Sequence, residues 1–191
     1  MFYRKNLIIM KCKNYRTTVL IFSCFSFSLL FLLLSGCAAR YQNMIPNSFE
    51  ISKKYPYKIS VSVVGGRETH PLWTSQISSS AYTQALELSI EKSGLFESLI
   101  KGKGADYLLD ITLLKVDQPI VGLDITINIE SEWVLINAST RKPVWTNTIS
   151  TSYTAALGDA FVAAERLQKA NEGAVRKNIK EGLRQLSLLN L

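Results

Sequence analysis

Three features of the sequence predict an α+β domain. A long stretch alternates apolar and polar residues with period two, two other stretches keep a helical period, and the elements come in the order β-α-β-β-β-α. A sheet with one apolar face must cover it, and two amphipathic helices are available to do so. The expected architecture is a two-layer sandwich, with a mostly antiparallel four-stranded sheet and both helices on one face.

The first strand is expected over 58–64, where Ile59, Val61 and Val63 alternate with Lys58, Ser60 and Ser62. Gly65-Gly66 ends it, and a loop over 67–76 (RETHPLWTSQ) follows. Ser78, Ser79 and Ser80 offer N-cap oxygens to a helix over 81–93, with Ala81, Tyr82, Ala85, Leu86 and Leu88 on its apolar face. Gly94 is a natural residue to close that helix, and Leu95 and Phe96 are expected to fold back onto it. Lys101-Gly102-Lys103-Gly104 reads as a turn before a strand over 105–116, with Tyr107, Leu109, Ile111 and Leu113 on one side. Asp117-Gln118-Pro119 interrupts the pattern, since proline cannot donate to a ladder.

The clearest alternation comes next. Val121, Leu123, Ile125, Ile127 and Ile129 take turns with Gly122, Asp124, Thr126, Asn128 and Glu130, and the pattern resumes at Trp133 and Leu135. After a hairpin over 137–143, a fourth strand is expected over 144–153. Asp159 is expected to cap a terminal helix that carries Leu167, Ala170, Ala174, Ile179, Leu183 and Leu186, with a kink at Gly173.

Ahead of this domain lies a different kind of sequence. Arg4, Lys5, Lys11, Lys13 and Arg16 come first with no acid among them, then a run without any charge from 17 to 39, apolar over most of 19–34. Met10 is a second start that keeps three of the positive charges. Basic n-region, apolar h-region and small residues make the layout of a secretory signal, although the run is nearly long enough to be a membrane anchor. Leu34-Ser35-Gly36-Cys37 decides between them, because it resembles the lipobox of bacterial lipoproteins. The resemblance implies cleavage between Gly36 and Cys37, a diacylglycerol on the Cys37 thiol and an N-acyl chain on its amine. Ala38 in place of aspartate resembles lipoproteins sorted to the periplasmic face of the outer membrane.

Removing 1–36 takes away five of the 22 basic residues and none of the 15 acidic ones, so a net charge of +7 becomes +2. The basicity therefore belongs to the leader, and gives no reason to expect nucleic-acid binding. Cys12 and Cys24 also leave, and Cys37 is committed to lipid, which excludes disulfides and thiolate metal sites from the mature chain. Residues 38–56 are polar and irregular and read as a tether, with a reach of roughly 60 Å if extended. The expected organisation is thus 1–36 signal peptide, 37–56 lipidated cysteine and tether, and 57–191 globular domain.

No catalytic constellation is visible, and a non-enzymatic protein without cofactor or metal is expected. His70 is the one histidine and stands in a loop, so neither a metal cluster nor a nucleophile-elbow hydrolase has its other members. Candidate binding residues are Trp73 with His70 in the 67–76 loop, and Thr126, Asn128 and Glu130 on the polar face of the long strand. The small-residue stretch over 153–161 (YTAALGDAF) reads as a tight junction. The layout of lipidated cysteine, tether and β-α-β-β-β-α domain resembles the lipopolysaccharide-assembly lipoprotein and the auxiliary lipoproteins of lipid-transport ABC systems. The stretch GDAFVAAERLQKANEGAVRKNI resembles uncharacterised proteobacterial lipoproteins. These resemblances imply a membrane-anchored accessory or binding module with an envelope protein as partner. A lipid- or glycan-binding carrier, with its ligand between helices and sheet, is the alternative.

Overall fold

The computed structural model describes residues 39–67, 75–119 and 122–191, all within one compact unit, Cys37–Leu191. Strands β1 (Tyr55–Val64), β2 (Phe96–Leu99), β3 (Tyr107–Asp117), β4 (Ile125–Asn137) and β5 (Lys142–Ala155) form one sheet in the order β2-β1-β3-β4-β5. Helix α1 (Ser79–Ser93) lies between β1 and β2 in the chain, and α2 (Ala163–Leu186) ends it. The α+β class is as expected, but the sheet has five strands and is mixed. β1 runs parallel to both β2 and β3, while β3, β4 and β5 are antiparallel.

The extra strand is the segment expected to fold back on the helix. Ser78 Oγ accepts the Ala81 amide at the start of α1, and Gly94, at φ 60°, closes it. Leu95 and Phe96 are buried as anticipated, yet the Leu95 carbonyl accepts the Tyr55 amide, and four residues then pair with β1. A strand so short leaves no alternation to read. The register also explains how a brief connection links two parallel strands. Ile59 is partnered by Leu99 on one edge and by Tyr107 on the other, so β3 starts at the level where β2 stops. The chain crosses β1 through a turn with Gly102 and Gly104 at positive φ and continues in the same direction.

One sheet face is dry. Ile59, Val63, Leu109, Ile111, Ile127, Ile129, Trp133 and Leu135 are buried there against Tyr82, Leu86, Ile90, Ala170, Ala174, Ile179 and Leu183 of the helices. β4 begins at Ile125 and not near Val121; Leu123 stands exposed in a bend, and Val121 lies outside the described residues. α2 passes through Gly173 without a break. A Cβ at Gly173 would lie 2.4 Å from the Tyr153 ring, and one at Gly182 2.3 Å from the Trp133 ring. These glycines let the helix approach the sheet. Asp159 does not cap α2 either, since the N-cap is Val162; the Asp159 carboxylate accepts the Ala156 amide and closes a short 3-10 turn, Leu157–Asp159.

A polar group sits inside this core. Asn178 Oδ1 accepts from Tyr82 Oη, from Ser131 Oγ at 2.8 Å and from Trp133 Nε1 at 3.2 Å, while its Nδ2 donates to the Ile149 carbonyl at 3.2 Å. All four side chains are buried or nearly so, and each has a partner, as a buried polar group requires.

The stretch expected as a free tether is packed on the domain. Met44, Ile45 and Pro46 are buried, and Ala39, Tyr41, Phe49 and Ile51 pack at the margin of the core. Glu172, itself buried on α2, accepts the Arg40 amide at 2.8 Å and Asn43 Nδ2 at 2.8 Å. Arg176 Nη1 donates to the Asn43 carbonyl at 2.7 Å, Lys180 pairs with Glu50, and the Ser52 amide donates to Ser187 Oγ at 3.1 Å. Residues 40 to 52 therefore run beside α2 and in its direction. The isolated apolar residues of this segment follow no period, which is why the sequence concealed the docking.

Candidate functional site

Both helices lie on one face of the sheet, which leaves the other face open. Alternation along β4 turns Thr126, Asn128, Glu130 and Glu132 outward, so the three predicted strand residues do share one surface. The antiparallel partner adds a column of hydroxyls. Thr126 faces Thr154, Asn128 faces Ser152, Glu130 faces Ser150 and Glu132 faces Thr148. Thr126 and Thr154 exchange a hydrogen bond of 2.8 Å between their Oγ1 atoms.

A shallow depression of about 280 Å³ is lined by Lys115, Asp117, Asn128, Glu130, Ser150 and Ser152. Lys115, Asp117, Ser150 and Ser152 are members that sequence reasoning missed, and Lys115 was hidden by a break in the alternation. Simple alternation from Tyr107 through Leu113 would bury it. The register slips between Leu113 and Lys115, so Leu114 is an extra residue, Lys115 comes opposite Glu130 and Val116 turns inward opposite Ile129. Gly65, at φ 88°, sits against this bulge; a Cβ there would lie 2.5 Å from the Leu113 carbonyl oxygen.

Lys115 Nζ lies 2.9 Å from the Asp117 carboxylate, and both are well exposed. The hydrogen bond and the charge of Asp117, with a smaller contribution from Glu130, hold the lysine above its ordinary pKa. An exposed pair of this kind adds little to stability. Its effect is to set a fixed cation and two anions among neutral hydroxyl and amide groups. Such a surface offers donors and acceptors to a polar partner. Among the described residues no group of three His, Cys, Asp or Glu is arranged to hold a metal ion.

His70 and Trp73 lie outside the described residues, as do Gly36 and Cys37. The structure thus brings together Thr126, Asn128 and Glu130 only. Among the described residues no helix is long and apolar enough to cross a membrane.

Solved structures provide a comparison for this arrangement. A Xanthomonas campestris protein of the DUF330 family superposes with a TM-score of 0.53 at 15% identity, over 71% of this chain and 91% of its own. The chain has that fold. A minor lipoprotein from Acinetobacter baumannii aligns with a TM-score of 0.49 at 10% identity, over 68% of this chain and 91% of its own. Uncharacterized lipoprotein B from Nitrosomonas europaea gives 0.47 at 12% identity, over 73% and 90%. No family model and no curated protein matches the sequence.

Proposed function

We propose that the protein is a bacterial envelope lipoprotein, anchored through lipid on Cys37, whose domain acts as a non-enzymatic accessory or binding module. The observation that carries the second half is the open sheet face, where Lys115, Asn128 and Glu130 converge on a depression while both helices cover the opposite side. The lipobox carries the first half, and Ala38 favours the periplasmic face of the outer membrane. The sequence resemblance to auxiliary lipoproteins of lipid-transport systems favours an envelope protein as the partner. The carrier alternative needs space between helices and sheet. The described interior is filled by Trp133, Tyr82, Leu86 and their neighbours, and Gly173 and Gly182 draw α2 into contact with the sheet, which disfavours it.

In-cell crosslinking followed by affinity capture in mild detergent tests the reading. The wild-type protein is expected to recover a defined envelope protein, and Glu130→Lys to lose it while remaining membrane-bound. Cys37→Ala is expected to lose incorporation of labelled palmitate and to retain its leader. Recovery of nothing beyond bulk lipoproteins counts against the binding module, and palmitate incorporation that survives in Cys37→Ala counts against the anchor.

A further inference from the structure

Four large apolar side chains are exposed at one pole of the molecule. Leu123 is 73% exposed in the bend before β4, Leu157 41% in the 3-10 turn after β5, and Phe161 92% and Val162 61% just before α2. Ile125 pairs with Ala155, so the bend and the turn lie at the same end of the β4–β5 ladder, and the Leu157 amide donates to Asp124 Oδ1 at 3.0 Å. Single exposed apolar residues are ordinary on a protein surface. Here, however, the backbone beneath three of them is tied down by several hydrogen bonds, and Asp124 links the fourth to the same turn. Arg166, buried in the first turns of α2, donates to the Ala160 carbonyl at 2.7 Å and the Phe161 carbonyl at 2.9 Å. Lys169 donates to the Asp159 carbonyl, and the Asp159 carboxylate accepts the Ala156 amide at 2.8 Å. Two of the acids at this pole, Asp124 and Asp159, are thus turned onto backbone amides. The apolar tips project from a fixed support.

The course of the N-terminal segment leads to the same pole. The Asn43 carbonyl meets Arg176 and the Arg40 amide meets Glu172, so going back along the chain means going toward the start of α2. Ala39 still packs against the core, and Cys37 is two residues further, within about 7 Å. From Glu172 to the first residue of α2 is nine residues, about 14 Å of helix. A lipid on Cys37 is thus tied within three residues of the flank of α2 at Glu172, and the described chain, followed backward, heads along that flank toward the apolar pole.

We propose that Leu123, Leu157, Phe161 and Val162 form a membrane-contact surface that seats the domain in the same leaflet that holds the Cys37 lipid. The inference rests on the anchor proposed above. Apolar side chains set into the headgroup boundary add a second attachment to the lipid, and fix which way the domain faces. β5 then leaves the leaflet with its hairpin end outermost, and the open sheet face stands alongside the membrane normal.

The full chain, processed in a bacterium and reconstituted into phosphatidylethanolamine–phosphatidylglycerol vesicles, supplies the test. Cys37 is blocked by lipid and Cys12 and Cys24 leave with the leader, so a nitroxide can be placed singly by Phe161→Cys, Leu123→Cys or Lys142→Cys. Lys142 lies at the opposite end of β5. Labels at 161 and 123 are expected to collide several-fold more with oxygen, relative to an aqueous nickel chelate, than the label at 142. Equal exposure to the chelate at 161 and 142, with lipid on Cys37 verified by mass spectrometry, overturns the membrane contact and leaves the anchor standing. Shielding of 161 from both quenchers overturns it in favour of a protein contact, and spin–spin broadening in that case identifies a second copy. A Cys37 peptide without lipid overturns the anchor and this inference with it.

Discussion

Gly182 has a simple task, to let the Trp133 ring lie against the α2 backbone. A methyl group there would sit 2.3 Å from the ring, and a buried indole between helix and sheet has nowhere to retreat. Gly182→Ala is expected to cost about 1–3 kcal/mol by overpacking, read by urea denaturation. Gly158→Ala, with nothing within 4 Å of the added carbon, should leave the midpoint unchanged. Tyr82 gives a second residue-scale test. Burial raises its pKa well above the ordinary 10.0. The phenol stays protonated in the folded chain at pH values where the unfolded chain loses its proton. Its contribution is therefore complete below about pH 10 and declines as pH rises further, by up to about 1.4 kcal/mol per pH unit. Chemical denaturation at pH 9 to 11 should show a steeper decline for wild type than for Tyr82→Phe.

At the scale of elements, the start of the docked segment, Arg40 to Asn43, is held by one carboxylate. Glu172 accepts from the Arg40 amide, from Asn43 and from Gln168 Nε2, so it satisfies three donors within a buried site. Glu172→Ala is expected to speed hydrogen exchange at the Arg40 amide while amides of β3 and β4 keep their protection. None of this was readable beforehand. The carboxylate and its backbone partner are 132 residues apart, and a glutamate on a helix normally faces water. β1, β3, β4, β5 and both helices could be read because each has enough residues to repeat its period. β2 could not, having four residues, and the slip at Leu114 was hidden because Leu113 and Leu114 are both apolar. The same contrast divides the site. Thr126, Asn128 and Glu130 follow from period two along a single strand, whereas Lys115 reaches them only through the bulge.

For the whole molecule, the working unit begins well before the first strand. A chain starting at Lys54 would keep all of β1 but lack Met44, Ile45 and Pro46, which are buried, and would bare the flank of α2 they cover. Such a truncation is expected to lose about 3–6 kcal/mol relative to a chain starting at Ala38, measured as a shift in the urea midpoint. If the two midpoints coincide, the segment is decoration on an independent domain. The exposed side chains at the end of β4 and β5 would be unaffected by either choice, since their support comes from Asp124, Asp159, Arg166 and Lys169.

The run of residues 40 to 52 along α2 also governs distance. A free spacer of that length would let the domain wander through a hemisphere roughly 45 Å in radius. With the segment fastened, the height of the molecule replaces the length of the leash. β5 has 14 residues, about 45 Å from end to end. Under the proposed Cys37 anchor, a partner held in the same membrane is met by lateral diffusion, and two proteins confined in this way encounter each other in two dimensions instead of three.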